Sequence, residues 1–123
     1  MPKTMLIVDD SRVSRMMIRS FSAALKPDWR FLEAVSGEEA IETVGREKID
    51  LISMDMNMDG MSGMEAAEKI LALQSDVFIV ILSANVQSVN RSKADALGLN
   101  FVAKPVTPPT IQTIFDLYGA AHA

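Results

Sequence analysis

The chain has no cysteine and only one histidine, His122, which lies next to the C-terminus. Disulfides and thiolate metal sites are therefore excluded, and a single imidazole cannot build a histidine metal site or a catalytic triad. Positive charge is also scarce, because 12 lysines and arginines stand against 16 aspartates and glutamates. This mild acidity argues against a nucleic-acid-binding face, which needs a clustered basic patch.

Long apolar runs are absent as well. No stretch approaches the ~20 residues that cross a bilayer. Met1, Pro2 and Lys3 lead directly into an apolar segment, which leaves no room for a cleaved signal. We therefore expect a cytoplasmic protein with no membrane contact. A length of 123 residues suits one domain with one core, and we expect a single domain over residues 1–123 with no output domain.

Strand-like and helix-like segments alternate along the whole chain. Short apolar runs are typical of strands buried on both faces, and apolar residues at helical spacing indicate helices between them. The expected strands are residues 5–8, 30–35, 51–54, 77–82 and 101–103. Five strands alternating with five helices predict an α/β, doubly wound fold with a parallel sheet and helices on both faces.

Helix boundaries follow from local chemistry. Pro27 should end the first helix, Gly98 should cap the end of a fourth helix over residues 86–97, and Pro108 and Pro109 suit the entry to the last. The first helix is expected to turn one apolar stripe toward the sheet, made of Val13, Met16, Met17, Phe21, Ala24 and Leu25.

Unusual polar residues stand at the carboxyl ends of the predicted strands. They are Asp9 and Asp10 after the first strand, Asp55 after the third, Ser83 after the fourth and Lys104 after the fifth. Ligands of open α/β sheets bind at this edge. Three neighbouring carboxylates must take up protons or bind a cation, and oxygen ligands favour Mg²⁺. A carboxylate can also form an aspartyl phosphate, whose oxygens a hydroxyl and an ammonium would contact.

Each of these residues alone has a structural explanation. Asp9 or Asp10 can be a helix N-cap, Asp55 a turn residue, and Ser83 and Lys104 ordinary loop residues. Their joint placement at the ends of successive strands favours the functional interpretation.

The motifs together resemble the receiver domains of bacterial two-component response regulators. The matching segments are Asp9-Asp10, Leu51-Ile52-Ser53-Met54-Asp55-Met56-Asn57-Met58, Gly60-Met61-Ser62-Gly63-Met64-Glu65, Ser83-Ala84 and Lys104-Pro105. The resemblance covers the whole chain. It implies a flavodoxin-like (βα)5 fold with strand order 2-1-3-4-5, as in the stand-alone receivers of chemotaxis.

The resemblance also implies a phosphorylation site and its cofactor. Asp55 would be the phosphoacceptor. Mg²⁺ would be bound by Asp10, by Asp55 and by the backbone carbonyl of Asn57, with Asp9 acting through water.

Further roles implied by the resemblance concern switching and phosphoryl lifetime. Ser83 and Lys104 would contact the phosphoryl group, and Ser83 with Phe101 would form the conformational switch. The residues two positions beyond Asp55 and Ser83, which are Asn57 and Asn85, would tune the rate of hydrolysis.

Two positions depart from the common family pattern. Asp59 stands where the family usually has proline, and Phe101 lacks the hydroxyl of the tyrosine found in several relatives. The Lys104–Pro105 bond is a candidate cis peptide, since only X-Pro bonds become cis at modest cost.

The expected function is therefore a phosphorylated signalling protein that is not an enzyme beyond its own phosphotransfer and dephosphorylation. A histidine kinase or phosphotransfer protein would supply the phosphoryl group. A downstream protein would bind the face of the fourth helix, fifth strand and fifth helix of a monomer, and chemotaxis is one candidate pathway. The alternative is a receiver-like interaction module or phosphate sink without a phosphorylation-dependent output.

The residues that follow the first predicted strand do not match the phosphate-binding motifs of nucleotide-binding proteins. Gly-x-Gly-x-x-Gly of dinucleotide enzymes and the Gly-Lys-Ser/Thr of P-loop hydrolases are absent. A flavodoxin-like electron carrier would need a Ser/Thr/Gly-rich phosphate loop, where two aspartates would repel the flavin phosphate.

Overall fold

The computed structural model describes residues 2–85 and 91–123, in which strands and helices alternate. The strands are β1 (Thr4–Val8), β2 (Arg30–Ala34), β3 (Leu51–Asp55), β4 (Phe78–Ser83) and β5 (Asn100–Ala103). The helices are α1 (Arg12–Leu25), α2 (Gly37–Arg46), α3 (Gly63–Leu73), α4 (Arg91–Leu97) and α5 (Pro108–Ala121). All strand pairs are parallel, in the order β2-β1-β3-β4-β5. The expected doubly wound (βα)5 fold is confirmed.

Two apolar layers cover the two faces of the sheet. One layer contains buried residues of α2, α3 and α4, and the other contains those of α1 and α5. Successive residues of β1 alternate between them, since Leu6 belongs to the first layer and Ile7 to the second. The central strands are therefore buried on both faces, which explains why they read as continuous apolar runs.

The inward face of α1 differs from the predicted stripe. Val13 and Met16 are each 61% exposed, and the fully buried positions are Ile18 and Ser22. On a helix of 3.6 residues per turn, Met16 lies roughly 160° around the axis from Ile18. One helix cannot turn both residues toward the sheet, so the prediction was wrong for Val13 and Met16. It was also wrong for Ala24 and Leu25, which are exposed. Met17 and Phe21 are half-buried against the α5 side of the core.

Side chains with hydroxyl groups begin four of the helices. Ser11, Ser36, Ser62 and Thr107 each accept a hydrogen bond from the backbone N–H three residues later. Such a cap is worth about 1 kcal/mol. Pro108 is the first residue of α5, as predicted, and Gly98 follows α4 with a φ of 71°. The predicted fourth helix began at residue 86, and its first five residues lie outside the described part of the chain.

Candidate functional site

The sheet register brings the polar strand ends to one edge. Val8 is level with Met54, so Asp9 and Asp55 follow them at the same height on neighbouring strands. On the other side of β3, the Met56 N–H donates to the carbonyl of Leu82 at 2.9 Å. The carbonyl of Ser83 accepts from the Lys104 N–H at 2.9 Å.

Three carboxylates converge at this edge. One oxygen from each of Asp9, Asp10 and Asp55 lies within 4.8 Å of the others. Asp9 and Asp55 are buried, with 1% and 4% exposure, whereas Asp10 is exposed. Among the residues that the structure describes, this is the acidic cluster whose geometry suits a cation.

Asp9 shows most clearly that the cluster fits a cation. Its Oδ1 accepts from the Ser11 N–H at 2.9 Å, while its buried Oδ2 has no hydrogen-bond partner. Burial raises the pKa of Asp9, and the negative charges of Asp55 and Asp10 raise it further, against the hydrogen bond from Ser11 and the charge of Lys104. A buried carboxylate oxygen without a partner is costly. A cation held by oxygen ligands would remove this cost and the repulsion together, as Mg²⁺ does.

Asp55 is paired with the lysine that follows β5. Lys104 Nζ lies 2.9 Å from Asp55 Oδ1. The same oxygen also accepts from the Asn57 N–H at 3.4 Å. The ammonium offsets part of the negative charge at this edge and stands beside the carboxylate that would carry a phosphoryl group.

Ser83 and Phe101 lie on the same side of the sheet. Ser83 is 3% exposed, and its hydroxyl accepts from the Asn85 N–H at 3.2 Å. Phe101 is level with Ile81, two residues before Ser83, and packs half-buried against the apolar layer that contains α4. Both predicted switch residues thus lie on the sheet face that is covered by the layer containing α2, α3 and α4. Asn57 and Asn85 are both exposed at the same edge of the sheet.

The loop after Asp55 folds back on the end of β3. The Gly63 N–H donates to the carbonyl of Met56 at 2.9 Å, which closes the loop. Asp59 is exposed in this loop and is not part of the acidic cluster among the described residues. The Lys104–Pro105 peptide on the opposite side of the site is cis, as predicted.

The sequence reading did not single out Arg15, which contacts the site from α1. Its Nη1 donates to the backbone carbonyl of Asp9 at 2.8 Å, and its Nε donates to Glu33 of β2 at 3.0 Å. Arg19 binds the other oxygen of Glu33 at 2.8 Å. Arg19 is the main cause that lowers the pKa of Glu33, with Arg15 adding to it. The only feature visible in the sequence was a basic residue four positions after Ser11, the N-cap of α1. Its role was not predictable, because the contact with Glu33 depends on the position of β2.

The parallel sheet, the aspartate cluster and the paired lysine define a receiver. The family model described as response regulator receiver domain matches residues 5–116, and the chain belongs to this family. Receiver domains are phosphoacceptor modules of two-component signalling that bind Mg²⁺ at an acidic pocket. They interact with histidine kinases or phosphotransfer proteins and with downstream targets.

Individual relatives include both short and long proteins. The chain is 32% identical over 113 residues to the chemotaxis protein CheY of Thermotoga maritima, covering 90% of this chain and 92% of that protein. It is 36% identical to the transcriptional regulatory protein YvrH of Bacillus subtilis, covering 85% of this chain but only 44% of that protein.

A solved structure supports the fold. The CheY-like receiver domain protein of Methanospirillum hungatei superposes with a TM-score of 0.87 over 99% of this chain and 98% of that one, at 19% identity. Among the described residues, no helix has the length and apolar character to span a membrane.

Proposed function

We propose that Asp55 accepts a phosphoryl group from a histidine kinase or a phosphotransfer protein in a Mg²⁺-dependent reaction. The observation that carries the proposal is the Lys104–Asp55 pair at 2.9 Å beside two further carboxylates. A lysine–aspartate pair with a purely structural role needs no further carboxylates beside it. A phosphoacceptor site that binds a cation does need them.

The proposed cation ligands are Asp10, Asp55 and the backbone carbonyl of Asn57, with Asp9 acting through water. The unpartnered Oδ2 of Asp9 and the approach of the three carboxylates to within 4.8 Å of one another support the three aspartates of this set. Bound Mg²⁺ would supply positive charge against the oxygens of the incoming phosphoryl group. Because few protein ligands are involved, the affinity for Mg²⁺ should be weak, and Asp10→Ala should abolish binding.

The protein's own groups carry the remaining chemistry. A carboxylate oxygen of Asp55 forms the new bond to phosphorus, while the bond from phosphorus to the donor breaks and its electron pair stays with the donor. Lys104 then contacts both Asp55 and the phosphoryl oxygens. Ser83 donates its hydroxyl proton to a phosphoryl oxygen while its own oxygen continues to accept from the Asn85 N–H.

The output is a change in a protein-binding surface. Ser83 would move toward the phosphoryl oxygens, and Phe101 would turn inward beneath it, which repacks the contact with α4 and β5. The phosphoryl group shifts this equilibrium only by its different affinity for the two states. The face of α4, β5 and α5 would bind the downstream protein, with the chain acting as a monomer. The similarity to a chemotaxis protein supports chemotaxis as one pathway.

Intact-mass spectrometry after treatment with acetyl phosphate and Mg²⁺ tests the modification. We expect one added phosphoryl group on the wild type and none on Asp55→Asn. Asp59→Asn is the matched control, because Asp59 is an exposed carboxylate of the adjacent loop outside the cluster. Equal modification of wild type and Asp55→Asn would remove Asp55 from this role. No modification of either would favour a receiver-like module that binds partners without phosphorylation.

A further inference from the structure

We propose that Arg15 is a positioning residue that orients the peptide between Asp9 and Asp10, so that the Asp10 carboxylate is held ready for Mg²⁺. The inference rests on the proposed function of this site. It concerns a side chain that lies outside the acidic cluster and makes no hydrogen bond or ion pair to Asp10 or Asp55 among the described residues.

The guanidinium of Arg15 bridges three elements. From the first turn of α1 it donates to the carbonyl of Asp9, at the end of β1, at 2.8 Å. It is anchored from the other side by Glu33 of β2 at 3.0 Å. The Arg15 side chain is only 13% exposed, so the guanidinium is largely shielded from water, although its partner Glu33 is 32% exposed. A planar guanidinium can satisfy two acceptors with fixed geometry, which a lysine cannot do.

The carbonyl of Asp9 belongs to the same peptide plane as the N–H of Asp10. The preceding peptide is already held, because the Asp9 N–H donates to the carbonyl of Ala34 at 3.1 Å. Arg15 holds the following peptide, between Asp9 and Asp10, so the backbone direction is fixed on both sides of Asp9. Since Asp10 is exposed while Asp9 is buried, the position of its carboxylate depends on this peptide plane.

The role of Arg15 is geometric and not a matter of its charge. Glu33 is shared by Arg15 and Arg19 and offsets only part of their positive charge, but Arg15 is not among the charges that shift the pKa of Asp9, which are those of Asp55, Lys104 and Asp10. Groups that orient metal ligands from outside the coordination sphere typically contribute about 10-fold or more to metal affinity. We therefore expect Arg15→Ala to weaken Mg²⁺ binding roughly 10-fold.

Arg19 provides a matched control within the same helix. It donates to the same Glu33 carboxylate at 2.8 Å and makes no hydrogen bond to Asp9 among the described residues. Arg15→Ala and Arg19→Ala both remove one ion pair to Glu33. Arg15 is less exposed than Arg19, 13% against 50%, so thermal unfolding of both variants is needed to separate a loss of stability from a loss of Mg²⁺ binding. Arg15→Lys keeps the positive charge beside Glu33 but loses the two-acceptor geometry.

The experiment is a Mg²⁺ titration followed by NMR on the full chain, with thermal unfolding of the metal-free proteins beside it. The expected result is weaker binding in Arg15→Ala and Arg15→Lys, with Arg19→Ala within about twofold of the wild type. Equal affinity in Arg15→Ala and Arg19→Ala, or full recovery in Arg15→Lys, would overturn the inference.

Amide hydrogen exchange without Mg²⁺ separates this inference from the proposed function. The Ser11 N–H, held by Asp9 Oδ1, should exchange faster in Arg15→Ala than in Arg19→Ala. A wild type that binds no Mg²⁺ would refute the proposed cation site, and the exchange rates would still decide the role of Arg15. Equal exchange of the Ser11 N–H in the two variants would overturn the positioning role of Arg15.

Discussion

A methyl group on Gly63 would lie 2.4 Å from the carbonyl oxygen of Asp55. The first residue of α3 thus stands directly against the backbone of Asp55, the proposed phosphoacceptor. The same glycine closes the loop by its hydrogen bond to Met56. Any side chain at this position would push the start of α3 away from Asp55.

Gly63→Ala is expected to destabilise the protein by roughly 1–3 kcal/mol, the usual cost of forcing extra volume into a packed region. It should also slow phosphorylation, because the backbone of Asp55 must move. Urea denaturation and the rate of modification by acetyl phosphate measure the two effects. Gly45→Ala is the control, since nothing lies within 4 Å of its added methyl. The Gly45→Ala change within α2 should be neutral or stabilising by up to about 1 kcal/mol. A Gly63→Ala protein that is as stable as the wild type would contradict the close contact with Asp55.

Lys104→Met should affect phosphorylation and Mg²⁺ binding in opposite directions. Loss of the ammonium beside Asp55 removes a partner of the phosphoryl oxygens, and we expect the acetyl phosphate reaction to slow by about 100-fold. Mg²⁺ should bind several-fold more tightly, because a competing positive charge is gone from the carboxylate cluster. Lys69→Met, which changes an exposed lysine of α3, controls for net charge. Weaker Mg²⁺ binding in Lys104→Met would refute this competition.

Glu33 makes a pH-dependent contribution to stability. Arg19 and Arg15 hold its pKa below the ordinary value, so its stabilising effect is present above the ordinary pKa of an unfolded glutamate and is lost as pH falls through the lowered folded pKa. At pH 7 we expect Glu33→Gln to be about 1 kcal/mol less stable than the wild type, since the pair is partly exposed.

Urea denaturation of both proteins between neutral and acidic pH tests this expectation. The difference between wild type and Glu33→Gln should shrink as the wild-type Glu33 becomes protonated. Glu42→Gln, an exposed position on α2, is the control. A difference that stays constant across the range would show that the charge of Glu33 is not involved.

The switch model predicts that a bound phosphoryl mimic shifts NMR signals far from the site. With Mg²⁺ and beryllofluoride, amide NMR signals of α4 and β5 should move together with those of the loops around Asp10, Asp55 and Ser83. In Phe101→Ala the loop signals should still move while the response of α4 shrinks, because the ring that links them is missing. If the wild-type signals that shift are confined to the loops, Phe101 does not link the site to α4.

Asn57 and Asn85 are expected to set the lifetime of the aspartyl phosphate. Both are uncharged and exposed beside the site, so water should reach the phosphoryl group and decay should take seconds to minutes. Replacing either by a larger charged residue should change the decay rate, measured by loss of the phosphorylated mass after acetyl phosphate is removed. Unchanged decay in both variants would show that neither side chain reaches the attacking water.

Local sequence patterns determined most of the fold. The apolar runs at residues 5–8 and 51–54 predicted β1 and β3 because central parallel strands are buried on both faces. Gly98 and Pro108 marked helix boundaries through backbone restrictions that act within a few residues. The positions of Asp9, Asp55 and Lys104 at strand ends were also predictable, since a parallel sheet brings carboxyl ends to one edge.

Contacts between distant segments were decided only by the tertiary structure. The apolar residues of α1 cover more of its circumference than one sheet contact can bury, so packing against α5 and the sheet decided that Ile18 and Ser22 face inward while Val13 and Met16 face out. Arg15 reached the carbonyl of Asp9 because β2 brings Glu33 beside it, 18 residues away in sequence. Such a bridge depends on the relative placement of three elements, and no local pattern contains that information.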